Sequence, residues 1–382
     1  MTTDSRLPDL PLLHDHHSHT SLYAALEGCP SLLGLGKAEA LRLLSSQRRD
    51  SLGLVKGWRT DLLPLGAEEL AGLPPLLIVN FSLHGYALTP AALPFVGELW
   101  PEFAERHADP AWGETHLPEL FGFYGRLAGL TPAKLKAHME GLEALGIGSI
   151  EDMTTAGSEA LAVIAASPYA RRVLSWATPS VYEGLSEPER RGIQGIKLFL
   201  DGSLGARSAA IGRPFLGGGK GILVYGEEEL ESLLARLASF RTGLSLHAIG
   251  GLAIYRAFLA LERLAREGLS FPRLRLEHVQ FIDRSQAFRA RELGIVFSMQ
   301  PNFNTDSVDY LDRLPPELAA ANDPFRMLID EAGFRPGLDL VFGSDGMPHG
   351  PGLALEACLS PPAPGQRLSL EEFIAGYGPA LS

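Results

Sequence analysis

Short apolar runs alternate with segments of helical periodicity from Thr131 to the end of the chain. The apolar runs have the length of buried strands, and several of the segments between them place apolar residues three or four positions apart. The pattern predicts strands at 147–153, 172–177, 193–200, 244–249, 274–279, 295–299 and 338–342. It predicts helices at 131–145, 157–166, 227–240, 252–267, 284–293 and around 324–331, and helical spacing of apolar residues predicts an earlier helix at 36–50.

An eighth strand is predicted near the N-terminus, at 12–20. Eight strands that alternate with helices are typical of the α/β class and indicate a (β/α)8 TIM barrel, here a single domain over 1–382. The alternative is an open doubly wound sheet, but no glycine-rich phosphate-binding sequence follows any of the strands. The barrel is therefore the favoured architecture.

The segment 51–131 breaks this rhythm, because it is rich in proline and glycine and contains one β-like run, at 76–81. Within a compact domain, a connection of this length is usually functional. We interpret the segment as an insertion that covers the active site.

Composition excludes several classes of partner. The net charge of −12 and the pI of about 5.4 disfavour nucleic acid and anionic lipid as partners. No apolar run reaches membrane-spanning length, and residues 1–11 lack the basic-then-apolar plan of a signal peptide. The two cysteines, Cys29 and Cys358, imply no disulfide framework. We expect a cytoplasmic protein that acts on a small molecule.

A histidine-rich stretch, Asp15-His16-His17-Ser18-His19, occupies the predicted first strand. Strand alternation places Asp15, His17 and His19 on one face, with His16 and Ser18 on the other. Two histidines two residues apart can bind one metal ion, and zinc suits imidazole nitrogen. Alone, however, such a stretch fits a solvated surface segment equally well.

Polar residues at the ends of the other strands strengthen the metal interpretation. In a barrel, the chemistry sits at the carboxyl ends of the strands. Lys197 lies inside an apolar strand, where an unpaired ammonium would be costly. The residues at these ends are His17, His19, Lys197, His247, His278 and Asp345.

These motifs together resemble the amidohydrolase superfamily, and within it the third amidohydrolase family of YtcJ-like metal-dependent hydrolases. The similar segments are the D-x-H-x-H stretch, 193–202 with Lys197, His247-Ala248-Ile249-Gly250, Glu277-His278-Val279-Gln280, Met299-Gln300-Pro301 and Gly343-Ser344-Asp345. The insertion also resembles that of the family, with His84 at a recurrent histidine position.

Some residues depart from the family pattern. Gly251 stands where an aspartate is common, and Gly85, Tyr86 and Thr89 replace more typical residues of the insertion. We also expect the small β-sandwich of family members to be absent, and a homo-oligomer to cover the surface that it leaves.

The resemblance implies a hydrolase that cleaves a non-peptide carbon–nitrogen bond by metal-activated hydroxide, with one or two divalent ions, zinc by preference. The implied metal ligands are His17, His19, Lys197, His247, His278 and Asp345. Asp345 would also act as the general base. A carbamate on Lys197 would let that side chain bridge two ions, because an ammonium has no lone pair.

Alternation favours His278 as the ligand, with Glu277 pointing toward the helix layer. We expect Asp15 or Asp201 to accept a hydrogen bond from a ligand histidine.

The same resemblance leaves the substrate open. We expect His84, Arg207 and Gln300 to contact it, with Arg207 as a clamp for a carboxylate. One alternative is a mononuclear deaminase, although the His247 motif offers no glutamate for that chemistry. The other alternative is a barrel that binds a small molecule without catalysis.

Overall fold

The computed structural model of the protein describes residues 10–60 and 62–379, so most of the segment 1–11 lies outside the described residues. The strands are β1 (Leu13–Ser18), β2 (Gly53–Trp58), β3 (Leu76–Asn80), β4 (Tyr86–Leu88), β5 (Ile147–Asp152), β6 (Val173–Ala177), β7 (Ile193–Phe199), β8 (Gly243–Ala248), β9 (Leu274–His278), β10 (Val296–Met299) and β11 (Leu340–Phe342).

The helices in the first half of the chain are α1 (Thr20–Ala25), α2 (Lys37–Ser45), α3 (Ala67–Ala71), α4 (Leu93–Leu99), α5 (Pro101–Arg106), α6 (Pro110–Thr115), α7 (Leu117–Ala128), α8 (Pro132–Ala144) and α9 (Ser158–Ala165). Those in the second half are α10 (Pro179–Gly184), α11 (Glu187–Arg190), α12 (Glu227–Ala238), α13 (Gly251–Arg266), α14 (Arg284–Glu292), α15 (Asp306–Asp309), α16 (Pro316–Ala321), α17 (Pro351–Leu359) and α18 (Leu370–Gly376).

Eight strands form the main sheet, in the order β1-β5-β6-β7-β8-β9-β10-β11, and all seven neighbouring pairs are parallel. The ends of the sheet meet where Asp345 N–H donates to His17 O at 2.7 Å. Gly343 allows this approach, since a Cβ there would lie 2.3 Å from His17 N. The predicted (β/α)8 barrel is confirmed, and each of its eight strands overlaps a predicted strand.

Local sequence signals explain the helix boundaries. Thr131 accepts a hydrogen bond from Lys134 N–H at 3.2 Å, and Pro132 follows it at the first helical position. The longest helix, α13, buries Ala253, Ala257 and their neighbours against the barrel. In the predicted helical region around 324–331, the chain instead forms a short π-helix at Met327–Glu331.

The segment 51–131 is more ordered than its composition suggests. It holds a second sheet, in which β2 pairs parallel with β3 and β3 pairs antiparallel with β4, together with helices α3 to α7. The expectation of an irregular segment with one strand is therefore wrong. Strand β2 is interrupted by Gly57, and strand β4 has only three residues. The pairing of these strands therefore depends on tertiary contacts, which the local pattern of apolar and polar residues does not reveal.

Within the described ranges, no helix combines the length and the apolar character that crossing a membrane requires. The cellular compartment and the oligomeric state stay predictions.

Candidate metal centre

The carboxyl ends of the barrel strands bring imidazoles and a carboxylate together. Ligand atoms of His17, His278 and Asp345 all lie within 4.8 Å of one another. The Nε2 atoms of His17 and His19 lie 3.5 Å and 3.4 Å from Asp345 Oδ1. The His247 ring centre lies 4.4 Å from that of His278. Five of the six predicted strand-end residues thus form one cluster.

Three of these histidines share one arrangement, in which Nδ1 contacts an oxygen behind the ring. His17 Nδ1 lies 2.6 Å from Glu277 Oε2, His19 Nδ1 lies 2.6 Å from Thr154 Oγ1, and His278 Nδ1 lies 2.7 Å from Gln300 Oε1. These contacts anchor the rings and leave the Nε2 atoms for other partners.

His247 is anchored through its other nitrogen. Its Nε2 donates to Gly202 O at 3.2 Å and lies 3.4 Å from Asp201 Oδ1. Asp201 also accepts from the backbone N–H groups of Ile249 and Gly250 at 3.0 Å and 2.8 Å, so it fixes the loop that follows β8. Asp201 therefore orders the loop beside His247, whereas the hydrogen bond of the His247 ring that was expected for an aspartate goes to Gly202 O.

Lys197, the sixth strand-end residue, is fully buried on β7. Its Nζ has no hydrogen-bond partner among the described residues and lies 5.3 Å from the centre of the Phe199 ring. Burial lowers the pKa of Lys197 to about 8, although Glu277 and Asp345 favour its charged form. A buried amine without a hydrogen-bonding partner is costly unless another group satisfies it.

Asp345 follows β11 in a left-handed conformation, with φ of 55°. Asp15 holds this turn, because it accepts from Ser344 N–H at 2.9 Å and from Ser344 Oγ at 2.5 Å. Asp15 also accepts from His17 N–H rather than from an imidazole, so its role differs from the expected one. Burial opposes ionisation of Asp345, but the neighbouring histidines, His17 first, hold its pKa well below the usual value.

Beneath the cluster lies a buried charged network. Arg275 Nη1 donates to Glu151 Oε2 at 2.6 Å, and its Nε donates to Glu277 Oε1 at 2.9 Å. Glu277 thus points into the barrel, and the expectation that it faces the helix layer is wrong. The reason is local backbone geometry: His278 and Val279 have φ of 71° and 42°, so strand alternation ends at this point.

A second buried group, His14, His16 and Glu151, also brings possible ligand atoms within 4.8 Å. Its carboxylate is already engaged, because Arg275 and the Trp176 indole N–H each donate to Glu151 Oε2 at 2.6 Å. His16 Nδ1 lies 3.1 Å from the other oxygen of Glu151. We interpret this group as part of the structural network rather than as a metal site.

The insertion contributes two rings beside the cluster. The Phe121 ring lies 5.0 Å from the His19 ring, and the His84 ring lies 6.4 Å from the His247 ring. His84 Nδ1 lies 3.4 Å from Glu114 Oε2, a buried carboxylate on α6. Burial opposes protonation of His84, yet Glu114 raises its pKa above the ordinary value. Sequence reasoning identified His84 but missed Glu114.

The other two predicted substrate contacts lie differently. Gln300 is buried, and its Oε1 accepts the hydrogen bond from His278 Nδ1, so the amide lies behind a ring of the cluster. Arg207 lies in the loop after β7 with about a third of its side chain exposed, and it pairs with Asp312 at 3.3 Å. Their contacts to a substrate stay predictions.

Comparison with known proteins now identifies the family. The sequence profile described as "Amidohydrolase family" matches residues 132–378, more than half of the chain. The chain belongs to the amidohydrolase family. YtcJ of Bacillus subtilis (strain 168) is 30% identical to this amidohydrolase over 122 residues, which is 31% of this chain and 23% of YtcJ. That match spans less than a quarter of the relative's length, and it agrees with the resemblance to the third amidohydrolase family.

Two solved structures resemble the amidohydrolase along nearly its whole length. The uncharacterized metal-dependent hydrolase of Pyrococcus furiosus is 22% identical, with a TM-score of 0.68 over 96% of this chain and 80% of that one. The corresponding protein of Pyrococcus horikoshii OT3 is also 22% identical, with a TM-score of 0.65 over 96% and 77%. At this identity the likeness shows the fold. Family membership supports a metal-dependent hydrolase.

Proposed function

We propose that this amidohydrolase cleaves an amide-type, non-peptide carbon–nitrogen bond of a small molecule at a divalent metal site. The observation that carries the proposal is the convergence of His17, His19 and His278 on the carboxylate of Asp345. Imidazole nitrogen with carboxylate oxygen is the donor set that zinc prefers in catalytic sites.

The residues fit such an ion. Each of the three rings is anchored through Nδ1, as metal-bound histidines usually are. Lys197 Nζ is buried without a hydrogen-bond partner among the described residues, and a metal or a modification would satisfy it. We propose that the ion is held by His17, His19, Lys197, His247, His278 and Asp345.

When bound, a divalent metal polarises a carbonyl group and lowers the pKa of water to about 7. Asp345 accepts a proton from the attacking water on a carboxylate oxygen and returns it to the leaving nitrogen. The nearby histidines keep Asp345 in the carboxylate form, which is the form that can accept a proton. The backbone hydrogen bond to His17 O fixes the carboxylate close to the rings.

We further propose that Lys197 is carboxylated. The neutral amine adds to carbon dioxide and loses a proton, which forms a carbamate with two oxygen atoms. A pKa of about 8 makes the neutral amine accessible, in keeping with burial in an apolar strand. A carbamate would give the site an anionic ligand where an ammonium would repel the metal.

His84 is our proposed substrate contact. Its ring lies beside His247 on the insertion side of the cluster, and Glu114 favours its protonated form. An imidazolium here would hydrogen-bond a polar or anionic group of the substrate. Glu114 is packed against the loop after β7, since a Cβ on Gly202 would lie 2.7 Å from Glu114 Oε2.

The test combines metal analysis with a panel of amides, esters and aminated nucleobases. We expect purified protein to contain divalent metal and to hydrolyse amides in a reaction that a chelator abolishes. Ammonia release from nucleobases alone would favour the deaminase alternative. Protein that binds no metal after incubation with zinc would refute the proposal and favour a binding barrel.

A further inference from the structure

We propose that Glu277 is a positioning residue that fixes which ring nitrogen of His17 carries the proton. In this way Glu277 prepares the opposite nitrogen of His17 to bind a divalent metal ion. The inference rests on the metal-binding function proposed above, but its central test is made on the metal-free protein.

His17 stands between two carboxylates on opposite sides of its ring. Nδ1 lies 2.6 Å from Glu277 Oε2, while Nε2 lies 3.5 Å from Asp345 Oδ1. A carboxylate can only accept, so the short contact requires a proton on His17 Nδ1. A neutral imidazole carries a single ring proton, and Nε2 then presents its lone pair to the cluster.

Glu277 cannot turn away from His17, because three donors hold its carboxylate. Ser245 Oγ donates to Oε1 at 2.7 Å, Arg275 Nε donates to Oε1 at 2.9 Å, and Arg275 Nη2 donates to Oε2 at 3.2 Å. Glu277, Arg275 and Ser245 are all 0% exposed. The imidazole is thus held by a group that is itself rigid, as precise metal sites require.

A merely structural role for Glu277, as the counter-ion of Arg275, does not account for this arrangement. Glu151 already pairs with Arg275 at 2.6 Å, so one carboxylate neutralises the guanidinium. The second carboxylate, that of Glu277, adds a negative charge that faces Lys197 as well as His17. That charge lies against His17, where it stabilises the proton on Nδ1 and raises the basicity of the ring.

The experiment uses metal-free protein labelled with 15N-histidine, in which long-range 1H–15N correlations report the tautomer of each ring. His17→Gln identifies the His17 signals. We expect the Nδ1–H tautomer for His17 in the wild type. The opposite tautomer in the wild type would overturn the proposal, whatever the protein does with metals.

Glu277→Gln removes the negative charge of residue 277 while the side chain keeps nearly the same shape. Ser245 and Arg275 donate to the Oε1 position at 2.7 Å and 2.9 Å, whereas Oε2 accepts one longer bond from Arg275, at 3.2 Å. The two shorter bonds select the carboxamide oxygen at the Oε1 position and leave the amide NH2 facing His17 Nδ1. We expect His17 to shift to the Nε2–H tautomer. We also expect zinc affinity, measured by competition with a chromophoric chelator, to fall about 10- to 100-fold.

Glu151→Gln is the matched control, because it neutralises the other carboxylate of Arg275 without touching His17. It should leave the His17 tautomer unchanged. Glu277→Asp retains the negative charge, so it should preserve the Nδ1–H tautomer of His17. This variant tests the proposed role of the charge if Glu277→Gln does not fold. An unchanged tautomer in Glu277→Gln would overturn the proposal. A wild type that shows Nδ1–H, shifts in Glu277→Gln and yet binds no zinc would refute the proposed function while leaving this inference intact.

Discussion

Removal of Arg275 should destabilise the barrel far more than a single arginine usually does. The side chain is 0% exposed and donates to Glu151 at 2.6 Å, to Glu277 at 2.9 Å and to the carbonyl oxygen of His16 at 2.8 Å. Arg275→Met keeps much of the volume but leaves two buried carboxylates without their cation. Loss of one partner of a buried ion pair costs about 3–5 kcal/mol, and we expect the free energy of unfolding to fall by at least that much.

Urea unfolding is the assay, and the protein carries its own reporter. The Trp176 ring lies 5.2 Å from the Arg275 guanidinium carbon, so one of the four tryptophans that contribute to the emission lies at the network. Arg273→Met is the matched control: Arg273 is only half-buried and donates to Gln194 at 3.2 Å. We expect that control to lower the free energy of unfolding less than Arg275→Met does, because the Arg273 side chain is only half-buried.

A third variant separates lost charge balance from lost packing. Arg275→Met combined with Glu151→Gln and Glu277→Gln removes all three charges, and it should recover much of the lost stability, because whole buried ion networks are often replaceable by neutral groups. If Arg275→Met lowers the free energy of unfolding no more than Arg273→Met does, Glu151 and Glu277 do not become unpaired buried charges, and the prediction is refuted.

Asp345→Asn should keep the far-UV circular dichroism of the wild type yet lower turnover by at least about 100-fold, since an amide cannot accept the proton; near-normal rates would remove the general-base role. His17→Ala should lower metal content, measured by elemental analysis, together with activity. Lys197→Ala should bind less metal than the wild type, and a short carboxylic acid should restore part of it; electron density at Lys197 that ends at the amine would argue against the carbamate. Burial raises the pKa of Cys358 to about 12, so this thiol should react with an aromatic disulfide only after denaturation, whereas the half-buried Cys29 should react in the native protein. Fast labelling of native Cys358 would contradict the packing around it.

The barrel was predictable because its strands are buried on both faces and therefore read as apolar runs. The runs 193–200 and 244–249 became β7 and β8 with at most one residue of difference at each end. The second sheet was not predictable in this way. Strand β4 has only three residues, and β2 contains a glycine with positive φ and pairs with β3 across a long connection.

The strand-end residues were predictable for the same reason as the strands, since a barrel gathers the ends of its strands at one face. The residues that contact and orient these side chains could not be predicted in this way. Thr154 and Glu114 come from other elements, and neither has a spacing that relates it to His19 or His84. Glu277 was misplaced because alternation assumes extended backbone, which ends at the left-handed conformation of His278.

Closure of the barrel and assembly of the site depend on the same contacts. Asp15, on the first strand, accepts from Ser344 N–H after the last strand, and Asp345 N–H donates back to His17 O. The first and last barrel strands therefore cannot take this register without placing Asp345 opposite the His17 ring. A change at Asp15 that loosens this junction should accordingly impair folding and metal binding together. A change at His84, beside the cluster, should leave the closure of the barrel intact, because His84 belongs to the insertion and not to a barrel strand.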